Sequence, residues 1–188
     1  MMKRQKTVNE IGPCSVKGVF HGTYEKFEIF SDEYLQSVGF HFGDEVQATY
    51  FATKRGPGGR IIEADLSFKN LVDIGRDDWG WNDCKRGALL CYIRFLESGI
   101  AMDRNAFQKI LGAPELDLAA YPPTFKMNLG ERQAFQDLLR AHNIDGIQYT
   151  NRNEPPNDTG RTAYFVLNKD QIRIMRIETV MQFKINRR

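Results

Sequence analysis

The sequence reads as an α+β domain. Strand-like and helix-like segments mix in its first half, and four strand-like segments crowd together beyond residue 144. No steady strand–helix alternation of the kind that builds a doubly wound parallel sheet runs through it.

In chain order, "VKGVFHG" (Val16–Gly22) predicts a short strand that stops in a turn. "SDEYLQSV" (Ser31–Val38) opens with a capping serine and acidic residues, which predicts a short helix. "GFHFG" (Gly39–Gly43) is too short for a helix. As a strand it places His41 on one face and Phe40 and Phe42 on the other. "DEVQATYFATKR" (Asp44–Arg55) predicts a helix with Val46, Thr49, Tyr50 and Thr53 at helical spacing, and "GPGG" a flexible turn. In "RIIEADLSF" (Arg60–Phe68), Ile62, Ala64, Leu66 and Phe68 alternate, as in a strand with one buried face. "KRGALLCYIRFLESG" (Lys85–Gly99) and "ERQAFQDLLRAHN" (Glu131–Asn143) are the clearest amphipathic helices, joined through the loop-rich "APELDLAAYPPTFKMNLG". "DGIQYTN", "TAYFVLN", "QIRIMRI" and "TVMQFKIN" predict four closing strands.

With 188 residues, the chain suits one domain with a core of its own. Basic ends at 1–15 and 185–188 are expected to be flexible. Three cysteines without a CxxC pair do not make a disulfide framework, and reduced thiols in a cytosol-like compartment are the simplest reading. "MMKRQKTVNEIGP" is basic but lacks the apolar stretch of a secretory signal, and no apolar run has the length of a bilayer span. The expectation is a cytoplasmic protein with no membrane partner. A net charge of +2 does not by itself imply nucleic-acid binding. Lys3, Arg4 and Lys6 at one end, with Arg173, Arg176, Lys184, Arg187 and Arg188 at the other, form a basic patch only if the ends share a side.

The chain has three histidines. His142 sits where a protonated imidazole favours a helix dipole. His21 and His41 each follow an apolar residue near a glycine. In His21-Gly22-Thr23, an imidazole lies beside a backbone that a ligand can approach closely, and a turn with an incidental histidine is the plainer alternative. The two histidines lack cysteine or carboxylate companions at ligand spacing, so no metal is expected. In "DGIQYTNRNEPPND", a strand with Gln148 and Tyr149 runs into a polar loop with Asn151, Glu154 and Asp158, stiffened by Pro155 and Pro156.

Together, in order, these fragments resemble the ADP-ribosyltransferase superfamily, in the branch of the poly-ADP-ribose polymerases and diphtheria-like toxins. The nearest likeness is to bacterial and phage domains of polyvalent proteins. "FHGTYEKFEIF" resembles the first motif and "GFHFG" the second, with histidine in place of the polymerase tyrosine. "LSFKNLVDI" with "DDWGW" resembles the segment that comes next. "DGIQYTNRNE" followed by "TAYFVLNKDQIRI" resembles the closing pattern. The resemblance implies split mixed β-sheets with flanking helices. It implies NAD as substrate, held by His21, Gly22 and Thr23, with His41 stacked on the nicotinamide and Phe40, Tyr149 and Asn151 around it. The implied activity is transfer of ADP-ribose to a macromolecular acceptor, protein or nucleic acid, as in a bacterial or phage toxin or effector.

The sequence departs from the polymerase branch at Ala163, where that branch carries its catalytic glutamate before a Tyr-Ile-Val-like strand. Glu154 matches the glutamate of the polyvalent-type motif, and Asp158 is the alternative carboxylate. This departure favours mono-ADP-ribosylation over polymer growth. It also keeps open a catalytically weak or inactive NAD- or nucleic-acid-binding module on the same fold. Trp79 and Trp81 are that module's candidate base-stacking residues, and core or lid residues are the plainer reading of them.

Overall fold

The computed structural model describes residues 10–31, 38–77, 85–97, 99–112, 126–152 and 160–180. Its centre is one mixed sheet. β1 (Glu10–Thr23) and β2 (Phe40–Phe42) precede helix α1 (Glu45–Thr53), and β3 (Arg60–Asp77) follows it. Helices α2 (Lys85–Glu97), α3 (Arg104–Leu111) and α4 (Leu129–Ala141) occupy the connection to β4 (Gly146–Asn151), β5 (Arg161–Val166) and β6 (Ile172–Thr179).

β3 is the spine. One of its edges carries β1, antiparallel. The other is shared: residues 60–66 pair with β6, antiparallel, and 71–77 pair with β4, parallel. The sheet therefore forks along β3. Its main branch continues through β5 to β2. It then returns on itself, because Phe20 of β1 and Gly43, just after β2, exchange both backbone hydrogen bonds at 2.9 Å. The register of β1 slips between Val16 and Val19, where Gly18 has φ +64° and donates to the Asp65 carboxylate at 3.2 Å. Such a bulge bends a strand and increases its twist, which turns β1 toward β2.

Two apolar clusters fill the space. Ile62, Ala64, Leu66 and Phe68 bury one face of β3, as their alternation predicts, together with Val19, Phe30, Phe40, Phe42 and Val166. The other cluster lies between the helices and β4–β5 and includes Leu89, Phe95, Phe107, Phe135, Ile147, Tyr149 and Phe165. The parallel β3–β4 pair needs a crossover, and the three helices provide it. Their ends are tied by the buried Lys85, which donates to the Leu111 carbonyl at 2.7 Å and pairs with Glu131 at 2.6 Å. Glu131 also closes the capping box of Asn128 at the start of α4.

Several expectations change. β1 begins at Glu10, inside the stretch expected to be flexible, because its early residues pair with the far part of β3 at Leu71 and Val72. β3 likewise runs on to Asp77, taking up β4 as it leaves β6. α1 turns the face opposite to the expected one inward: Gln47, Ala48 and Ala52 are buried, while Val46 and Tyr50 are exposed. α3 has no counterpart in the sequence reading, although Asp103 caps it and Gly112 ends it with φ +64°. β6 takes in the residues up to Thr179, Val180 follows it outside the strand, and the rest of the fourth closing strand lies outside the described residues. So do most of the helix expected at Ser31–Val38, and Trp79 and Trp81. No helix among the described residues is long and apolar enough to cross a membrane.

Candidate functional site

The site forms where the returning sheet fails to close. Phe20 and Gly43 are the one backbone-to-backbone link across the β1–β2 seam among the described residues. Beyond it the two strands part. Peptide groups along a strand point alternately to its two sides, so the N–H and C=O of Gly22 point to the same side as those of Phe20. A continued ladder would pair Gly22 with His41. Instead the His41 carbonyl accepts from Nδ1 of His21 at 2.8 Å. The imidazole holds the seam apart at the point where the Gly22 backbone faces into it.

That bond also sets the chemistry of His21. A carbonyl only accepts, so Nδ1 carries the proton. Burial lowers the pKa of His21, with the bond to the His41 carbonyl opposing the shift, so the ring is neutral near pH 7. Its Nε2 is then an acceptor, suited to a hydroxyl. The ring sits among Phe27, Phe30 and Phe42, with centroids 5.4–6.4 Å away. His41 points the other way from Phe40 and Phe42, as expected for a strand. Its Nδ1 is hydrogen-bonded to the Tyr149 hydroxyl at 3.1 Å, and its ring meets Phe165 edge-on at 5.4 Å. Burial, followed by the charge of His21, pushes its pKa down to about 4.

Two adjoining cavities flank the seam. They share His21, Gly22, His41 and Phe51. The first, about 250 Å³, is bounded by Thr23, Tyr24, Phe40, Lys54 and Arg55 among others. The second, about 160 Å³, reaches Gln47, Tyr149, Asn151 and Ala163. Each alone is smaller than the roughly 300 Å³ at which small-molecule sites begin. The residues His21, Gly22, Thr23, Phe40, His41, Tyr149 and Asn151 thus each line one or both of these adjoining cavities. Glu154 and Asp158 lie outside the described residues. Ala163, paired with Tyr149, borders the second cavity, which has no carboxylate among its described lining residues. Among the described residues, no group of three His, Cys, Asp or Glu side chains is placed to hold a metal.

Gly22 has a second reason to be glycine. A Cβ there would overlap the Ala48 carbonyl of α1 and come within 2.9 Å of the Ala48 Cα. One turn further along α1, the Ala52 carbonyl leaves equally little room for a Cβ on Gly59. The helix is seated on two glycines through its small-residue face, and this seating brings Phe51, Lys54 and Arg55 to the cleft. The sequence reading missed these three. The signal was present as Ala48 and Ala52, four apart, which mark the close-packed face.

No protein-family model, curated protein or solved structure matches the chain.

Proposed function

We propose that the chain is an NAD-dependent mono-ADP-ribosyltransferase on an ADP-ribosyltransferase-like fold, passing ADP-ribose to a protein or nucleic-acid acceptor in the cytoplasm of the cell in which it acts, as a bacterial or phage effector would. The observation that carries the reading is the parted seam. A primary carboxamide has one acceptor and a donor pair side by side, and the Gly22 N–H and C=O offer the complement. His21, its neighbour in the lining, would accept from a ribose hydroxyl through Nε2, and His41 lines the same two cavities.

In this reading the bond between the ribose C1′ and the nicotinamide nitrogen breaks. Its electron pair goes to nicotinamide, which leaves neutral. The acceptor's nucleophile bonds to C1′ and gives up its proton. Positive charge builds on the ribose on the way, as in glycoside hydrolysis, and a fixed carboxylate stabilises it. Ala163 supplies none. Glu154, assigned from the sequence, follows Asn151 by three residues, a length of chain that spans at most about 11 Å. His21 and Gly22 orient the dinucleotide.

Ala163, which borders the second cavity and stands where the polymerase branch has its glutamate, favours one other reading, a module that binds NAD without transferring it. Incubation with labelled NAD and cell lysate separates the two. Transfer predicts nicotinamide release and label on macromolecules, with protease or nuclease digestion showing which kind. No release, with or without lysate, leaves only the binding module. Glu154→Ala is expected to abolish transfer while leaving the thermal unfolding curve in place. Transfer equal to the parent's would remove Glu154 from the mechanism.

A further inference from the structure

At the mouth of the first cavity, two cations stand side by side at the C-terminal end of α1. Lys54 Nζ lies 4.3 Å above the Phe51 ring, and the Arg55 guanidinium lies 5.8 Å from the Tyr24 ring. Tyr24 is itself anchored: its hydroxyl donates to the Gly56 carbonyl at 2.7 Å and accepts from the Arg55 N–H. Both cations line the cavity, and neither is in a salt bridge among the described residues. A helix C-terminus alone accounts for a nearby cation. It does not account for two cations held on aromatic rings against one cavity.

We propose that Lys54 and Arg55 are an anion clamp that binds the diphosphate of a dinucleotide whose carboxamide end lies at Gly22. This rests on the NAD reading for the identity of the far end, and on the cavity alone for the anion. The clamp makes the cleft selective for a nucleoside diphosphate ligand over an uncharged nicotinamide. Phosphate contacts with Lys and Arg are charge-assisted, so the two together dominate affinity at low salt.

Calorimetric titration tests this with five probes: NAD, ADP-ribose, inorganic pyrophosphate, nicotinamide and a single-stranded oligonucleotide. The comparison is between the parent chain and the Lys54→Ala/Arg55→Ala variant, whose fold is checked by its unfolding curve. The double substitution is expected to weaken NAD and ADP-ribose by about tenfold or more. It should leave nicotinamide affinity unchanged and remove most of the salt dependence of ADP-ribose binding. Equal ADP-ribose affinity in parent and variant overturns the clamp while leaving the NAD reading intact. Clamp-dependent binding of ADP-ribose and pyrophosphate, with no measurable binding of NAD or nicotinamide, sustains the clamp and sinks the NAD reading. Loss of single-stranded oligonucleotide binding in the variant, with ADP-ribose unaffected, overturns the clamp in favour of contacts to an acceptor's phosphates. No binding of any probe by the parent overturns both.

Discussion

Gly22 meets two demands that a side chain would violate. Its backbone faces the open seam, and its missing Cβ lets the Ala48 carbonyl approach. The first demand follows from strand alternation and the second from helix seating, and they act in different directions. Gly22→Ala is therefore expected to destabilise the fold by about 2 kcal/mol or more, since a backbone carbonyl must move to admit the methyl. Urea unfolding measures this, and a midpoint equal to the parent's would show that α1 is not seated on Gly22. His21 has an equally local logic. Its proton is committed to the His41 carbonyl, so what it offers the cleft is a lone pair. Both residues stand out in the sequence because histidine beside glycine is unusual at a strand end. The bond to His41 is not legible there, because it joins residues twenty apart whose approach depends on the path of β1.

At the scale of elements, α1 organises the cleft. Asp44 begins it with a capping box: its carboxylate accepts from the Gln47 N–H at 2.9 Å, and Gln47 accepts from the Asp44 N–H at 3.1 Å. Asp44 also pairs with Arg161 at the start of β5, which ties the start of the helix to that strand. A half-exposed ion pair contributes little, whereas a cap contributes about 1 kcal/mol. Asp44→Ala should accordingly cost about 1 kcal/mol, and Asp44→Asn, which caps without a charge, much less. Equal losses for the two in thermal unfolding would mean that the Arg161 pair, not the cap, holds the helix. The helix itself was legible in the sequence, with its cap. Its inward face was not, since Ala48 and Ala52 carry far less apolar surface than Val46 and Tyr50. Close approach to glycine selects for small size over hydrophobicity.

For the whole molecule, the two seam imidazoles link stability to pH. Both have pKa values lowered from 6.5 by burial, His41 to about 4. Between those values the unfolded chain binds protons that the folded chain does not, so stability rises with pH through this window. The imidazoles cost nothing above pH 6.5, and their penalty grows as pH falls toward 4. Urea unfolding of the parent and of His41→Gln at pH 7 and pH 4.5 is expected to show the parent losing more stability on acidification. An equal loss in both would mean that His41 titrates normally in the folded chain.

The alternation in β3, the amphipathic stripes of α2 and α4 and the closing strands β4 and β5 were determined by the sequence alone, because their periods are local and mark one buried face each. The candidate residues from His21 to Asn151 were named from the sequence as well. Their convergence on two adjoining cavities was decided by the tertiary structure. So were the forked edge of β3, the incomplete closure between β1 and β2, and the arrival of Lys54 and Arg55 at the cavity mouth. The physical reason is that these depend on how far one strand bends at a bulge and how closely one helix sits on two glycines. Those are distances between segments, which no periodicity within a segment encodes.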